Sequence, residues 1–178
     1  MRRAALALAL LALSSAAIAD AKTFRGTPRA DRVGGTPGPD HLSGYAGNDR
    51  IYGRGGNDRL SGGKGNDRLV GSAGDDELLG GDADDRLNGG AGDDDLSGGA
   101  GNDILSAGDG ADALDGGDGK DNLNAGKGLD EILGGAGDDV IDARDGDQDS
   151  IDCGDGYDVA YVDTQEEGVF DCEDVRFP

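Results

Sequence analysis

The sequence predicts an all-β solenoid, a stack of coils each made of a turn, a strand, a second turn and a second strand. Three observations predict it. A nine-residue pattern recurs in 13 consecutive units between Gly26 and Asp142, its sixth position is Asp in every unit, and its eighth position is aliphatic in every unit. A fixed self-similar period means stacked units, because one unit alone cannot bury its apolar side. Two units, 18 residues, close one coil.

In chain order, the first residues belong to export. Met1-Arg2-Arg3 supplies a basic start, Ala4 to Leu13 an apolar run, and Ala17-Ile18-Ala19 an A-x-A cleavage motif, which together predict a secretory signal over residues 1–19. The run falls short of the roughly 20 apolar residues that cross a bilayer, so no transmembrane segment is expected after signal removal. Residues 20–25 form a lead-in. "GTPRADRVG" and "GTPGPDHLS" then open the repeats in degenerate form, with prolines in both and Arg29 where the fourth-position Gly belongs.

Within a regular unit, such as "GGKGNDRLV" from Gly62 to Val70, position one is Gly except at Ala107 and Ala125, and position four is Gly except at Arg29 and Ala83. Glycine permits the positive φ and close backbone approach that tight turns need. Only the last three residues, here Arg68-Leu69-Val70, are expected to be strand, with the eighth side chain inward and its neighbours outward. Ala83 adds a methyl group inside one turn and is expected to weaken the site around Asp85.

Stacking places each sixth-position Asp above the one two units away and so predicts two ladders: Asp49, Asp67, Asp85, Asp103, Asp121 and Asp139 on one edge, Asp40, Asp58, Asp76, Asp94, Asp112 and Asp130 on the other. Carboxylates at a strand spacing of roughly 4.8 Å repel one another unless a cation lies between them. Oxygen ligands, with turn carbonyls beside the carboxylates, suit calcium better than zinc, which prefers nitrogen and sulfur, or magnesium, which demands a tighter octahedron. Multiple calcium ions are therefore the expected partners.

The units from Gly44 to Asp142, of the form G-G-x-G-x-D-x-U-x with U aliphatic, closely resemble the hemolysin-type, or RTX, calcium-binding nonapeptide repeat. The resemblance implies a right-handed parallel β-roll, here residues 26–152, whose turns bind calcium through the sixth-position Asp and neighbouring carbonyls. RTX toxins and proteases usually carry an uncleaved C-terminal export signal, whereas the signal predicted here is N-terminal.

After Ala143 the frame gains one residue, and Asp149 with Ile151, then Asp158 with Ala160, take the sixth and eighth roles. Residues 153–178 are expected to hold the last repeat and a cap over the open coil, formed by Tyr157, Tyr161, Phe170 and Phe177. Cys153 and Cys172 predict a disulfide in an exported protein; the alternative is two unpaired buried thiols. "DGDQDS" from Asp145 imitates an EF-hand start, but Ser150 replaces its turn glycine, so it reads as a distorted repeat.

The formal net charge is −22, and −24 once the signal with its two arginines is gone. Such a polyanion repels phosphate backbones and attracts cations, which excludes nucleic acid as a partner. His41 is the only histidine, no G-x-S-x-G is present, and no nucleophile–base pair stands out, so the chain is expected not to be an enzyme. The expected function is that of a secreted calcium-binding structural module, extracellular or at the cell surface, that folds on binding calcium; its protein or surface partner stays open. The alternatives are an accessory subunit of an extracellular hydrolase or toxin and an ice-binding solenoid. Ice binding needs a flat rank of one small residue, whereas position three reads Ala46, Gly55, Lys64, Ala73, Asp82 and Ala91.

Overall fold

In a computed structural model of the chain, residues 21–163 and 168–178 are described; the predicted signal, 1–19, lies outside them. Eighteen strands and no helix occur among the described residues: β1 (Thr23–Arg25), β2 (Arg32–Gly34), β3 (His41–Ala46), β4 (Arg50–Tyr52), β5 (Arg59–Lys64), β6 (Arg68–Ala73), β7 (Glu77–Asp82), β8 (Arg86–Ala91), β9 (Asp95–Ala100), β10 (Ile104–Asp109), β11 (Ala113–Asp118), β12 (Asn122–Lys127), β13 (Glu131–Ala136), β14 (Val140–Ala143), β15 (Ser150–Asp155), β16 (Val159–Val162), β17 (Val169–Phe170) and β18 (Asp174–Arg176). Odd strands form one nine-stranded sheet and even strands another, each in chain order. Every neighbouring pair is parallel; Leu105, for example, stands opposite Leu87 on one side and Leu123 on the other. The molecule is a parallel β-solenoid, as the period predicts.

Strands are longer than the three residues expected. From β5 to β13 each spans six, running from position seven of one unit to position three of the next. The reason lies in the backbone of those supposed turn residues, which still pairs with the adjacent coil: Gly63 stands in register with Gly81 and Lys64 with Asp82, and just beyond the strand Gly65 N donates to Asp82 O at 3.0 Å. Period two then turns two side chains of each strand inward, positions eight and one. Position eight fills the core with fully buried residues such as Ile51, Leu60, Leu105 and Ile132. Position one is glycine over most of the chain, but towards the end it becomes Ala107, Ala125, Ala143, Cys153 and Val162, all fully buried. The core thickens from one end to the other.

The sheets extend beyond the expected limits. β1 pairs with β3 and so begins the solenoid at Thr23, three residues before Gly26, because Phe24 takes an eighth-type position opposite Leu42. At the other end β16, β17 and β18 continue both ladders, and Cys153 is joined to Cys172. An aromatic cap is not formed: Tyr157, Phe170 and Phe177 are exposed. Val169, Cys172 and Val175 pack against the last coils instead, since Val169 and Val175 stand opposite the inward Ile151 and Ala160 and Cys172 is bonded to Cys153. Tyr161 lies on the outer face between the guanidinium groups of Arg144 and Arg176, at 4.9 and 5.3 Å.

Candidate metal centre

Each turn consists of positions four to six, and the two kinds of turn define two edges. The first edge connects odd to even strands and carries Asp49, Asp67, Asp85, Asp103, Asp121 and Asp139; the second connects even to odd strands and carries Asp40, Asp58, Asp76, Asp94, Asp112 and Asp130. Both predicted ladders are thus brought together, residue for residue. Asp158 extends the first and Asp149 the second. Both were read as sixth positions, but neither was among the sequence-predicted ligands, because the inserted residue after Ala143 left the ligands of the last units open.

The ladder has a bonding rule that the spacing did not reveal. From Asp49 onward one carboxylate oxygen of every rung accepts the backbone N–H of the Asp one coil earlier: Asp49 N donates to Asp67 Oδ1 at 2.7 Å, Asp76 N to Asp94 Oδ1 at 2.8 Å, and Asp130 N to Asp149 Oδ1 at 2.9 Å. These are buried carboxylates, 3% exposed or less, not solvated turns. The second oxygen, Oδ2, is buried without a hydrogen-bond partner at thirteen aspartates, from Asp49 to Asp158. An unpaired buried carboxylate oxygen is costly, and a repeated one asks for a ligand.

What surrounds Oδ2 is set by position one. A Cβ placed on Gly116 would lie 2.6 Å from Asp121 Oδ2 and in close contact with Gly134 O of the next coil. On Gly98 it would crowd Asp103 Oδ2 and stand 2.6 Å from Gly116 O. The absent side chain leaves a cradle faced by one carboxylate oxygen and one carbonyl of the adjacent coil. Position one was predicted glycine for turn geometry, yet it lies in strand and has no left-handed φ; its glycine is required for space. Position four does need the left-handed region, as at Gly65 with φ 107°. Ala83 adopts it too, at φ 81°, and Asp85 remains buried with Oδ2 unpaired as on the other rungs, so the backbone takes the strain.

The two degenerate units differ. Asp31 Oδ2 accepts Thr27 N at 2.7 Å and Thr27 Oγ1 at 3.0 Å, and Asp40 Oδ2 accepts Thr36 N. A threonine at position two supplies the hydrogen bond that Oδ2 lacks on the later rungs.

Electrostatics agree with the bonding. Burial above all pushes the Asp85 and Asp94 carboxyls up to about 7; hydrogen bonds from the Asp67 and Asp76 amides pull the other way, and carboxylates of adjoining coils add to the rise. Asp58, Asp67, Asp121, Asp130, Asp139 and Asp149 are raised to about 6 by the same leading cause. Among the described residues no three His, Cys, Asp or Glu side chains converge on a point, so a metal here would draw on backbone carbonyls with each carboxylate. That donor set is all oxygen and fits a hard cation such as calcium.

Comparison with curated proteins gives no match. The family model of the RTX calcium-binding nonapeptide repeat, which describes four copies, matches residues 25–60, 34–69, 61–96, 88–123, 115–147 and 125–160 in overlapping frames. Those matches run without a gap over the coils whose paired carboxylates and glycine cradles are described above, and the chain therefore belongs to the RTX calcium-binding repeat family.

Proposed function

We propose that this chain is an exported, non-enzymatic repeat module that folds when it binds calcium and serves outside the cell as a structural or surface element. The thirteen unpaired Oδ2 atoms carry the reading. In the metal-free chain each is an unneutralised or protonated carboxyl in the interior, a standing penalty against folding. The core offers little in return, one aliphatic side chain per nine residues over most of the length. Calcium would supply positive charge and oxygen coordination at each cradle. The chain's part is to hold Oδ2 and the adjoining carbonyl on either side of the space that glycine leaves, so that binding free energy becomes folding free energy. Affinities of about 10⁻⁴ to 10⁻³ M are those of extracellular modules.

Absence of catalysis is part of the proposal. A surface hollow of about 770 Å³ is lined by Asp109, Asn124, Lys127, Asp142 and Arg144 among others. Its cations are already engaged, Lys127 Nζ with Asp109 at 2.8 Å and Arg144 with Asp142 at 2.7 Å. Ice binding is disfavoured by the third-position row, where Lys64 and Asp82 face each other at 3.5 Å across adjacent odd strands. Export predicts a mature chain that begins at Asp20, which N-terminal sequencing of protein from the medium checks. Circular dichroism tests the folding: the spectrum should pass from coil to β with millimolar calcium, return with chelator, and respond poorly to magnesium. A spectrum fully β in excess chelator and unchanged by calcium would sink the proposal.

A further inference from the structure

The two edges are not equivalent. Five residues before each ladder aspartate of the first edge stands a glycine, from Gly44 to Gly134 without exception. On the second edge the series is Gly53, Gly71 and Gly89, and then Ala107, Ala125 and, with the inserted residue, Ala143. Cys153 holds the same position before Asp158. We infer that metal loads the first edge from Asp49 to Asp139 but the second only from Asp58 to Asp94. Nine of the thirteen unpaired oxygens are then metal sites, and those at Asp112, Asp130, Asp149 and Asp158 are not.

The reason is the volume of one methyl group. A Cβ on Gly89 would stand 2.9 Å from Ala107 O and closer still to Asp94 Oδ2. Both oxygens therefore close in on the bare Cα, and one calcium ion, with oxygen ligands at about 2.3–2.6 Å, can draw on the two together only while no side chain stands between them. At Ala107, Ala125 and Ala143 a real Cβ occupies the equivalent place, fully buried. Carbon in ordinary contact keeps each oxygen 3.4 Å or more away, which holds the carboxylate and the carbonyl apart instead of letting them converge. Cys153 fills its cradle with a methylene group and a sulfur bonded to Cys172.

The late coils gain packing where they lose metal. Ala125 and Ala143 follow Ala107 in the register of the even sheet, and Ala143 stands opposite Val162. This row lies beside the row of Leu105, Leu123 and Ile141 and doubles the apolar side chains of each even strand there. One staple has been exchanged for another along the same edge.

The inference rests on the calcium reading, and native mass spectrometry of the calcium-loaded, disulfide-intact chain separates the two. Nine bound ions are expected for the wild type. Ala107→Gly/Ala125→Gly should bind two more, and Gly98→Ala, which fills the Asp103 cradle on the first edge, one fewer. Because glycine could also loosen the fold, crystals of the calcium-loaded wild type give a second readout, with ions at Asp103 and Asp121 and none at Asp112 and Asp130. Ions at Asp112 and Asp130 with occupancy equal to those at Asp103, or a double variant whose count does not change, would overturn the inference and leave the calcium reading standing. A wild-type chain that binds no calcium overturns both.

Discussion

At the scale of the residue, the ladder aspartate has two unlike oxygens: Oδ1 completes the hydrogen bonding of the previous coil, while Oδ2 is left without a hydrogen bond and, in the function proposed above, meets a cation where the cradle is open. This division predicts how single substitutions differ. Asp94→Ala removes a rung whose Oδ2 is unpaired and whose Oδ1 holds Asp76 N, and it should move the calcium midpoint of folding upward several-fold. Asp31→Ala should move it little, since Asp31 Oδ2 is already held by Thr27; calcium titrations followed by circular dichroism measure both. The carboxyls also give a pH dependence with a definite sign. A group raised from 3.8 to about 7, as at Asp85 and Asp94, binds its proton more tightly folded than unfolded. Its stabilising contribution is complete below about pH 4 and is lost as pH rises through 7. The metal-free chain should therefore hold more β structure at pH 4.5 than at pH 8, while the calcium needed to fold it should increase as pH falls, because protons compete for the same oxygens. Equal β content at both pH values in chelator would contradict this assignment.

At the scale of the strand, the outer face of the odd sheet mixes opposite-charge and like-charge neighbours, Glu77 standing opposite both Arg59 and Asp95, whereas the first strands of the even sheet carry like charges alone. In the odd sheet Arg59 bonds Glu77 one coil away, with its Nε 2.7 Å from Oε2. In the even sheet Arg32, Arg50, Arg68 and Arg86 stand in direct register on β2, β4, β6 and β8, strands without a single acidic residue. Like charges directly opposite one another in a sheet are destabilising, by roughly 0.2–1 kcal/mol for each pair. Arg68→Gln, which relieves two contacts, should raise the urea midpoint of the calcium-loaded chain at low salt, with the gain shrinking at high salt as screening sets in. Strand facts of this kind show what the sequence could disclose. Leu69 inward, Arg68 outward and Asp67 in the turn were legible, because a nine-residue period fixes them all at once. The length of β6 was not, since Gly71 and Ser72 look like turn formers and only the carbonyls of the next coil hold them in strand. Nor was the true office of the position-one glycine, which depends on where Asp Oδ2 points, a matter of rotamer and not of spacing. The aromatic tail misled for a related reason: scarcity of Phe and Tyr elsewhere suggested a cap, but Tyr157 falls in an exposed turn and Phe170 on an outward register.

At the scale of the molecule, coils touch only their neighbours, so stability is a sum of coil and interface contributions and the ends fray first. The bridge between Cys153 and Cys172 spans 19 residues and closes the last coils. By the chain-entropy account its loss should cost about 3 kcal/mol. Cys153→Ser/Cys172→Ser should accordingly speed amide exchange in β15 to β18 far more than in β3 to β8; uniform acceleration along the chain would show the coils to be less independent than their contacts imply.

The direction of the inter-coil bonds has a mechanical side. Strands run across the long axis, so their hydrogen bonds lie along it, and β1 and β18 belong to opposite ends of the stack. A pull between those ends loads the interfaces one after another, as in peeling tape, not all together as in shearing a sheet. Each released coil would pay out 18 residues, about 60 Å of chain, in place of a rise of about 4.8 Å. The module would then behave as a stepwise extensible tether whose yield force is set by the surrounding calcium, with the segment between the two cysteines kept from unreeling.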